Sequence, residues 1–443
     1  METILVRIAK TAKEQPDERF TSLAHLLNEE MLTMCHKELG KNKACGVDRV
    51  TKEEYGKNLE RNIADLIARM KRKAYRPLPV RRTYIPKPGS DKKRPLGIPC
   101  HEDKIVQAGL VRILTPIYEA DFLDCSYGYR PGRSGHDALR HLNRIIERKQ
   151  VNYIVDADIK GFFDHVNHDI LIELVKKRIA DTSIIRIIQR ILIAGYMEQG
   201  KSHCTEEGTP QGGVISPLLA NIYLHYALDR WFEREVKEQC GGEAHMVRYA
   251  DDFVCCFQYL DDARWFLRNL AKRLSSFKLE LAENKTKIVE LKRSPDNDRN
   301  DKNGGNTSGT FDFLGFTHYS GKSRHGKFRV KRKTSNKKHR AALLQIKEWI
   351  KASRNKPIMI IVAELKEKLT GHYRYYGITD NSKSMGDYLH GVKKLVFKWL
   401  NRRSQRRSFI WSEFVRKMKS WNLPMPKIYH SIYASRSAQG CSK

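Results

Sequence analysis

Two short stretches put carboxylates where folded chains ordinarily avoid them. Residues 248–254, Arg-Tyr-Ala-Asp-Asp-Phe-Val, set Asp251 and Asp252 side by side between the apolar flanks Met246-Val247 and Phe253-Val254-Cys255-Cys256-Phe257. Those flanks are rich in residues that favour buried strands. Burying a charge is costly, and adjacent like charges add repulsion. Residues 153–164, Tyr-Ile-Val-Asp-Ala-Asp-Ile-Lys-Gly-Phe-Phe-Asp, deliver Asp158 in the same way after an apolar strand, with Asp156 as its nearest rival. A lone Asp at a strand end is ordinarily a turn former. Both motifs together, in a strongly basic chain, point to carboxylates converging on a hard divalent cation, whose remaining positions phosphates and water would fill. Two Mg2+ ions about 4 Å apart would activate an attacking hydroxyl and stabilise the leaving oxygen of a phosphoryl transfer. The acidic pair is then tolerable because cations neutralise it.

The polyanion that such chemistry needs is written into the composition. The 443 residues carry a formal charge of +32, far beyond what solubility requires. Residues 321–443 hold 31 Lys and Arg against 6 Asp and Glu, so +25 of that charge lies in the tail. There the basic residues interleave with aromatics, as in His-Tyr-Arg-Tyr-Tyr-Gly (372–377) and around Arg402, Arg403, Arg406 and Arg407, a pattern suited to nucleic acid. No apolar run is long enough to cross a bilayer, which argues against a membrane partner, and the N-terminus lacks a secretory core. Nine cysteines without a Cys-x-x-Cys pair suggest neither a zinc site nor a disulfide framework. A reducing, cytoplasmic setting is expected.

The elements that must position these residues follow from periodicity. Residues 1–75 read as mostly helical, including 21–32, and residues 81–99 as a hairpin around Pro-Gly-Ser-Asp. Helices are expected at 101–119 and 134–149, a strand at 151–158, and a long helix at 217–236 opened by Pro217, which suits a first turn. Two strands flank Asp251-Asp252, followed by helix 261–277 and strand 286–292. The polar stretch 293–310 is a surface loop across which 285–291 and 310–319 are expected to pair. From about 336 the pattern becomes a basic helical bundle. The fold class is therefore α+β, with an all-α tail.

Seven blocks in order carry a resemblance: Lys-Lys-Arg-Pro-Leu-Gly-Ile-Pro (92–99), Ser-Tyr-Gly-Tyr-Arg-Pro-Gly-Arg-Ser (126–134), 156–164, Gly-Thr-Pro-Gln-Gly-Gly-Val-Ile-Ser-Pro (208–217), 248–252, 281–289 and Phe-Asp-Phe-Leu-Gly-Phe (311–316). The set resembles the successive blocks of a reverse transcriptase, and more narrowly those of bacterial group II intron-encoded reverse transcriptase-maturases, over residues 40 to 420. The resemblance implies a right-hand polymerase: fingers at 1–150, a palm with an antiparallel sheet packed by helices at 151–322, interleaved with the fingers, and a helical thumb at 323–443. It makes Asp158, Asp251 and Asp252 the catalytic carboxylates, with Ile159 offering backbone to the metal, Mg2+ as a pair of ions and Mn2+ as a possible substitute.

The same resemblance implies dNTP contacts from Lys87, Arg94, Phe162 and Gln211. Lys87 and Arg94, flanking the expected hairpin turn, would clamp the β- and γ-phosphates. Phe162 would lie under the deoxyribose and exclude a 2′-hydroxyl, with Phe163 as core. Asn221 would only anchor its helix. Primer and template would meet Tyr249, Leu314, Gly315, Arg130 and Arg133, and RNA would meet Arg374, Arg402, Arg403, Arg406 and Arg407 of the thumb. Implied partners are an RNA template, a DNA or RNA primer, dNTPs and group II intron RNA, in a cytoplasmic ribonucleoprotein; oligomeric state leaves no signal in the sequence. The chain resembles the short form without an appended endonuclease. Two other readings fit the same residues: a domesticated or defence-associated reverse transcriptase, and an RNA-binding splicing chaperone with a vestigial polymerase core, against which the full carboxylate set argues. The run Gly-Tyr-Met-Glu-Gln-Gly-Lys-Ser (195–202) matches a phosphate loop by letter, but it follows a helical segment and leads into turns, so no ATPase is expected.

Overall fold

Apolar residues at helical spacing after Cys100 become the helix His101–Asp121, which buries Ile105, Val106, Leu110, Ile113, Leu114 and Ile117. It runs through the middle of the first of two units in a computed structural model of the chain, in which the described residues are 2–86, 93–205, 207–209, 212–291, 309–323, 325–403 and 409–433. The units are not successive stretches: one is drawn from residues 1–87, 92–135 and 157–287, the other mainly from 136–156 and 288–443.

In the first unit the N-terminal helices are Glu2–Glu14, Glu29–Glu38, Lys52–Gly56 and Leu59–Lys71. Residues 21–32 are not one helix. Asn28 accepts a hydrogen bond from the Met31 amide, caps the helix at Glu29, and leaves only a short 3-10 turn, Ala24–Leu26, before it. Strands Val80–Pro86 and Lys93–Ile98 form the expected antiparallel hairpin, registered from Arg81 opposite Ile98 to Pro86 opposite Lys93. A second hairpin, Tyr196–Glu198 with Lys201–His203, pairs in parallel with the first through Val80 and Arg81. It is built from the phosphate-loop look-alike. Gln199 and Gly200 both have positive φ, 50° and 80°, as a tight two-residue hairpin turn requires, and no helix follows.

Pro217 opens the helix Ser216–Leu224 as expected, but the run is not uniformly α-helical: residues His225–Asp229 and Phe232–Val236 are π-helical before Lys237–Gln239 closes it. Strands Ala244–Tyr249 and Asp252–Phe257 then make an antiparallel hairpin. Its back packs through Phe257 on an aromatic cluster of Phe232, Trp231 and Phe266, the last from helix Leu260–Ser276.

In the second unit, Phe311–Phe313, Phe316–Lys322 and Phe328–Thr334 form a three-stranded antiparallel sheet. This corrects the expected pairing across the long loop: Lys287–Glu290 belongs to a different sheet. The tight Leu314-Gly315 turn lets Phe311–Phe313 pair with its immediate successor, which closes a far shorter loop. Helices Asn336–Ser353, Ile358–Tyr376, Ser382–Leu400 and Trp411–Ser420 follow around a core that includes Ile350, Leu365, Leu369, Tyr373, Val392 and Phe414. Helices with largely antiparallel sheets make the protein α+β, as its periodicities imply. Among the described residues, no helix is long and apolar enough to cross a membrane.

Candidate active site

The Asp251 turn is assembled from the strand beneath it. Strand register pairs Tyr249 with Asp252, so Ala250 and Asp251 are the two turn residues. Ala250 sits at φ 58°, a left-handed conformation that a non-glycine residue adopts only when its surroundings impose it. Those surroundings are polar and buried. Arg248, at 0% exposure, donates from Nη1 to the Ala250 carbonyl at 2.9 Å. Its Nε and Nη2 engage the Asp229 carboxylate at 2.7 and 2.5 Å, Nη1 also reaches Asn221 Oδ1 at 2.9 Å, and Nη2 reaches Ser126 Oγ at 2.8 Å. Asn221 in turn donates to the Gly128 carbonyl at 2.7 Å. Loop 125–128 runs alongside the strand, with the Tyr127 amide on the Arg248 carbonyl at 2.9 Å and the Arg248 amide on the Cys125 carbonyl at 2.8 Å. Gly128 is obligatory there: a Cβ would lie 2.4 Å from the Ala250 nitrogen.

Asp158 and Asp251 are brought within electrostatic reach of each other. Burial pushes the Asp251 carboxyl above the ordinary carboxylate range and the charge of Asp158 pushes the same way, while its own backbone N–H, Arg94 and Arg248 pull it back. Asp158 follows strand Tyr153–Ala157, and its carbonyl accepts from the Ala282 amide at 2.8 Å. Its carboxylate is ion-paired with Lys285, a cation that the sequence reading passed over although it lies in a quoted block. Ile159 is 2% exposed and bridges to Leu281. Asp252 begins the second strand of the hairpin, half-buried. Among the described residues, no cluster of three or more His, Cys, Asp or Glu is arranged as a metal cage.

Around this centre, Arg94 is exposed on its strand opposite Ile85, with its charge felt at both Asp251 and Tyr129. Tyr129 and Tyr249 face each other with ring centroids 6.5 Å apart. The two phenylalanines differ in exposure. Phe162, at 2% exposure, packs beside Phe163 and Tyr223, whereas Phe163 is half-buried and lines a cavity of about 280 Å³ with Arg82, Pro95, Gly97 and Thr209. Gly161, at φ 54°, precedes the 3-10 turn Phe162–Asp164, in which Phe162 is the buried residue. Arg130 is 6% exposed, and its guanidinium donates to Glu119 and to the carbonyls of Phe122, Leu123 and Ser126, bracing the loop from within. Arg133 pairs with Asp124 at 2.6 Å. Lys87, Gln211, Arg406 and Arg407 lie outside the described residues.

In the second unit the Leu314-Gly315 turn has φ values of 49° and 81°. Tyr375 Oη donates to the Leu314 carbonyl at 2.9 Å, the Ser335 amide donates to the Gly315 carbonyl at 3.0 Å, and the Tyr375 ring stacks on Phe316. Arg374 and Arg402 are exposed, while Arg403 donates to the carbonyls of Arg354 and Lys356.

Comparison with known proteins adds a family to this geometry. Residues 85–318 match the model described as "Reverse transcriptase (RNA-dependent DNA polymerase)". The chain is 34% identical over 345 residues to the Group II intron-encoded protein LtrA of Lactococcus lactis subsp. cremoris, covering 65% of this chain and 57% of that protein. It is 34% identical over 315 residues to Protein YkfC of Escherichia coli strain K12, covering 64% of this chain and 78% of that protein. Nuclear intron maturase 2, mitochondrial, of Arabidopsis thaliana is 28% identical over 179 residues, which is 31% of this chain and 24% of the plant protein. The chain thus spans a little over half the length of the lactococcal relative. It belongs to the reverse transcriptase (RNA-dependent DNA polymerase) family, and its similarity extends to a group II intron-encoded protein.

Proposed function

We propose that the chain extends a primer 3′-hydroxyl with dNTPs on an RNA template, and that it binds group II intron RNA as a maturase in splicing and retrohoming, within a cytoplasmic ribonucleoprotein. One observation carries the polymerase reading: Asp251, half-buried at the turn of an apolar hairpin and raised by that desolvation, feels a second carboxylate, Asp158, which follows a separate strand. A desolvated carboxylate with a second carboxylate close enough to repel it offers the oxygen donors that a hard divalent cation takes as ligands. Asp158, Asp251 and Asp252, with backbone from Ile159, would hold Mg2+, with Mn2+ as a substitute. Once bound, such ions polarise the phosphoryl oxygens and acidify the attacking hydroxyl.

The chain's own work is positioning and charge neutralisation, since phosphoryl transfer asks little covalent chemistry of a protein. Lys285, ion-paired with Asp158, would have to give up that carboxylate for it to hold a divalent ion. Arg94, with Lys87 and Gln211, would hold the triphosphate; Phe163, the more open of the two rings, would meet the sugar. Tyr249 and the Leu314-Gly315 turn would hold the primer. Arg133 and the thumb arginines Arg374, Arg402, Arg403, Arg406 and Arg407 would contact the nucleic-acid backbone, so binding should weaken steeply with salt. Fingers at 1–150, palm at 151–322 and thumb at 323–443 remain our assignment of these roles.

The test is primer extension on RNA with dNTPs by the Asp251→Ala/Asp252→Ala variant. We expect synthesis to fall by on the order of 100-fold or more; undiminished synthesis overturns the site. The maturase role is separable. The same variant should still promote splicing, and an intact protein that binds its intron RNA no better than an unrelated RNA overturns that part.

A further inference from the structure

We infer that the buried Arg248–Asp229 ion pair is a positioning device for the catalytic turn: by holding the Ala250 carbonyl it sets where the Asp251 carboxylate projects. This rests on Asp251 being the metal-bearing carboxylate proposed above. Arg248 and Asp229 touch no substrate in that scheme; they act through Asp251.

Stability alone gives no reason for such a pair. A buried ion pair can be replaced by apolar residues of similar volume without loss of stability, and often with gain. This one is fully desolvated, with both side chains at 0% exposure. It ties together three segments distant in sequence: loop residue Ser126, the helical run carrying Asn221 and Asp229, and the strand and turn of residues 248–250. The hydrogen bond to the Ala250 carbonyl falls on the one non-glycine residue of this hairpin forced into positive φ, immediately before Asp251. Without that donor, the Ala250-Asp251 peptide loses the restraint that keeps it in a disfavoured conformation.

The helix beneath has changed its pitch to supply the partner. In an uninterrupted α-helix, Asn221 and Asp229, eight residues apart, would point about 80° away from each other. The π segment His225–Asp229 lies between them. One residue absorbed into a wider turn leaves about seven α-helical steps, within about 20° of two full turns, so both side chains meet the same guanidinium. Asn221 thus does more than anchor its helix, because it joins Arg248 to the Gly128 carbonyl on the loop packed against Ala250.

The experiment uses the full chain with Arg248→Met/Asp229→Leu, which removes both charges together at similar volume. Three readouts are taken: thermal melting; Mn2+ binding to the substrate-free protein, followed by loss of the free-ion electron paramagnetic resonance signal; and the Mg2+ dependence of primer extension. Hydrogen exchange over residues 246–254 locates the change. We expect a folded protein, a 10- to 100-fold weaker Mn2+ affinity with a matching rise in the Mg2+ needed for half-maximal rate, and faster exchange confined to the turn. Wild-type Mn2+ affinity and Mg2+ requirement in the folded double variant overturn the inference. Should that variant not fold, Arg248→Lys keeps the charge but not the planar fork that serves several acceptors at once. It should show the same weakening, and wild-type values there overturn the inference equally. Asp251→Asn run in parallel separates the two ideas. Full activity in that variant sinks the active-site reading, whereas its inactivity beside an unaffected Arg248 variant sinks only the positioning role.

Discussion

Two turns in this molecule face the same problem and solve it with different chemistry. Ala250 and Leu314 are non-glycine residues at φ 58° and 49°, each next to a residue proposed to touch the reaction or the primer. Each has its carbonyl gripped by a side-chain donor: Arg248 Nη1 at 2.9 Å for Ala250, Tyr375 Oη at 2.9 Å for Leu314. The first donor is charged and wholly buried; the second is neutral and 39% exposed. A buried charged donor cannot be exchanged for water, so the turn it holds has one conformation. An exposed hydroxyl competes with water at every moment, so its turn can yield. The proposed catalytic carboxylate is held by the rigid device, and the proposed primer grip, which must let nucleic acid advance, by the compliant one.

The largest effect expected is on stability, from Arg248→Met alone. It strands the Asp229 carboxylate, at 0% exposure, without its partner. Losing one member of a buried pair costs about 3–5 kcal/mol, so chemical denaturation should show a loss of that order, against little or none for the double variant described above. Equal losses in both would mean that packing rather than charge is at stake.

Asp251→Asn should move activity and stability in opposite directions. Primer extension should fall on the order of 100- to 1000-fold. An acid whose pKa folding raises destabilises the folded protein once ionised. With divalent ions chelated, the Asn variant should therefore melt higher than the native protein at neutral pH. That gap should shrink as pH falls through the raised pKa towards the ordinary value of 3.8, where the native carboxyl is protonated in both states. Adding Mg2+ should close it from the other side, because the ion binds only the native carboxylate. A native protein that melts higher in chelator at pH 7 would contradict the raised pKa.

The strand ends that carry Asp158 and Asp251, both hairpins, the proline-opened helix and the basic helical tail were legible because each is a local pattern: strand alternation, turn residues, 3.6-residue spacing. What stayed hidden depends on register between distant segments. Arg248 stands inside a quoted motif, yet its acceptors are at 126, 221 and 229, and a π segment shifts the last of them onto the right face. A regular helical period is blind to that shift. A charged residue inside an apolar strand was still a usable signal, because such an arginine must have a buried partner somewhere. Which of Phe162 and Phe163 is the more buried was not legible either, because adjacent rings in a short 3-10 turn after Gly161 at φ 54° follow a backbone choice that composition does not reveal.

A smaller perturbation of the rigid turn comes from its neighbour. Gly128→Ala would place a methyl 2.4 Å from the Ala250 nitrogen and 3.0 Å from the Tyr249 carbonyl carbon, both backbone atoms that no rotamer change can move. Overpacking of this kind costs about 1–3 kcal/mol. Because the displaced atoms belong to the catalytic turn, the rate of primer extension should fall at temperatures where the variant is fully folded. A variant that loses melting temperature but polymerises normally would show that the turn tolerates displacement, and would weaken the case for its rigidity.

Tyr375→Phe should do least, and it tests the compliant half of the comparison. The ring remains, stacked on Phe316 with centroids 5.9 Å apart, and only the hydroxyl on the Leu314 carbonyl is lost. That carbonyl is solvent-accessible enough for water to replace the donor, so the stability cost should sit near the bottom of the usual range for a hydrogen bond, about 0.5 kcal/mol. Primer affinity should weaken by a small factor, with the rate at saturating primer and the Mg2+ requirement unchanged, since nothing in the Asp251 turn depends on Tyr375. A fall in saturated rate as large as that from the Arg248 variants would mean that the Leu314 turn needs a single fixed conformation after all, and the contrast between a rigid and a yielding grip would fail.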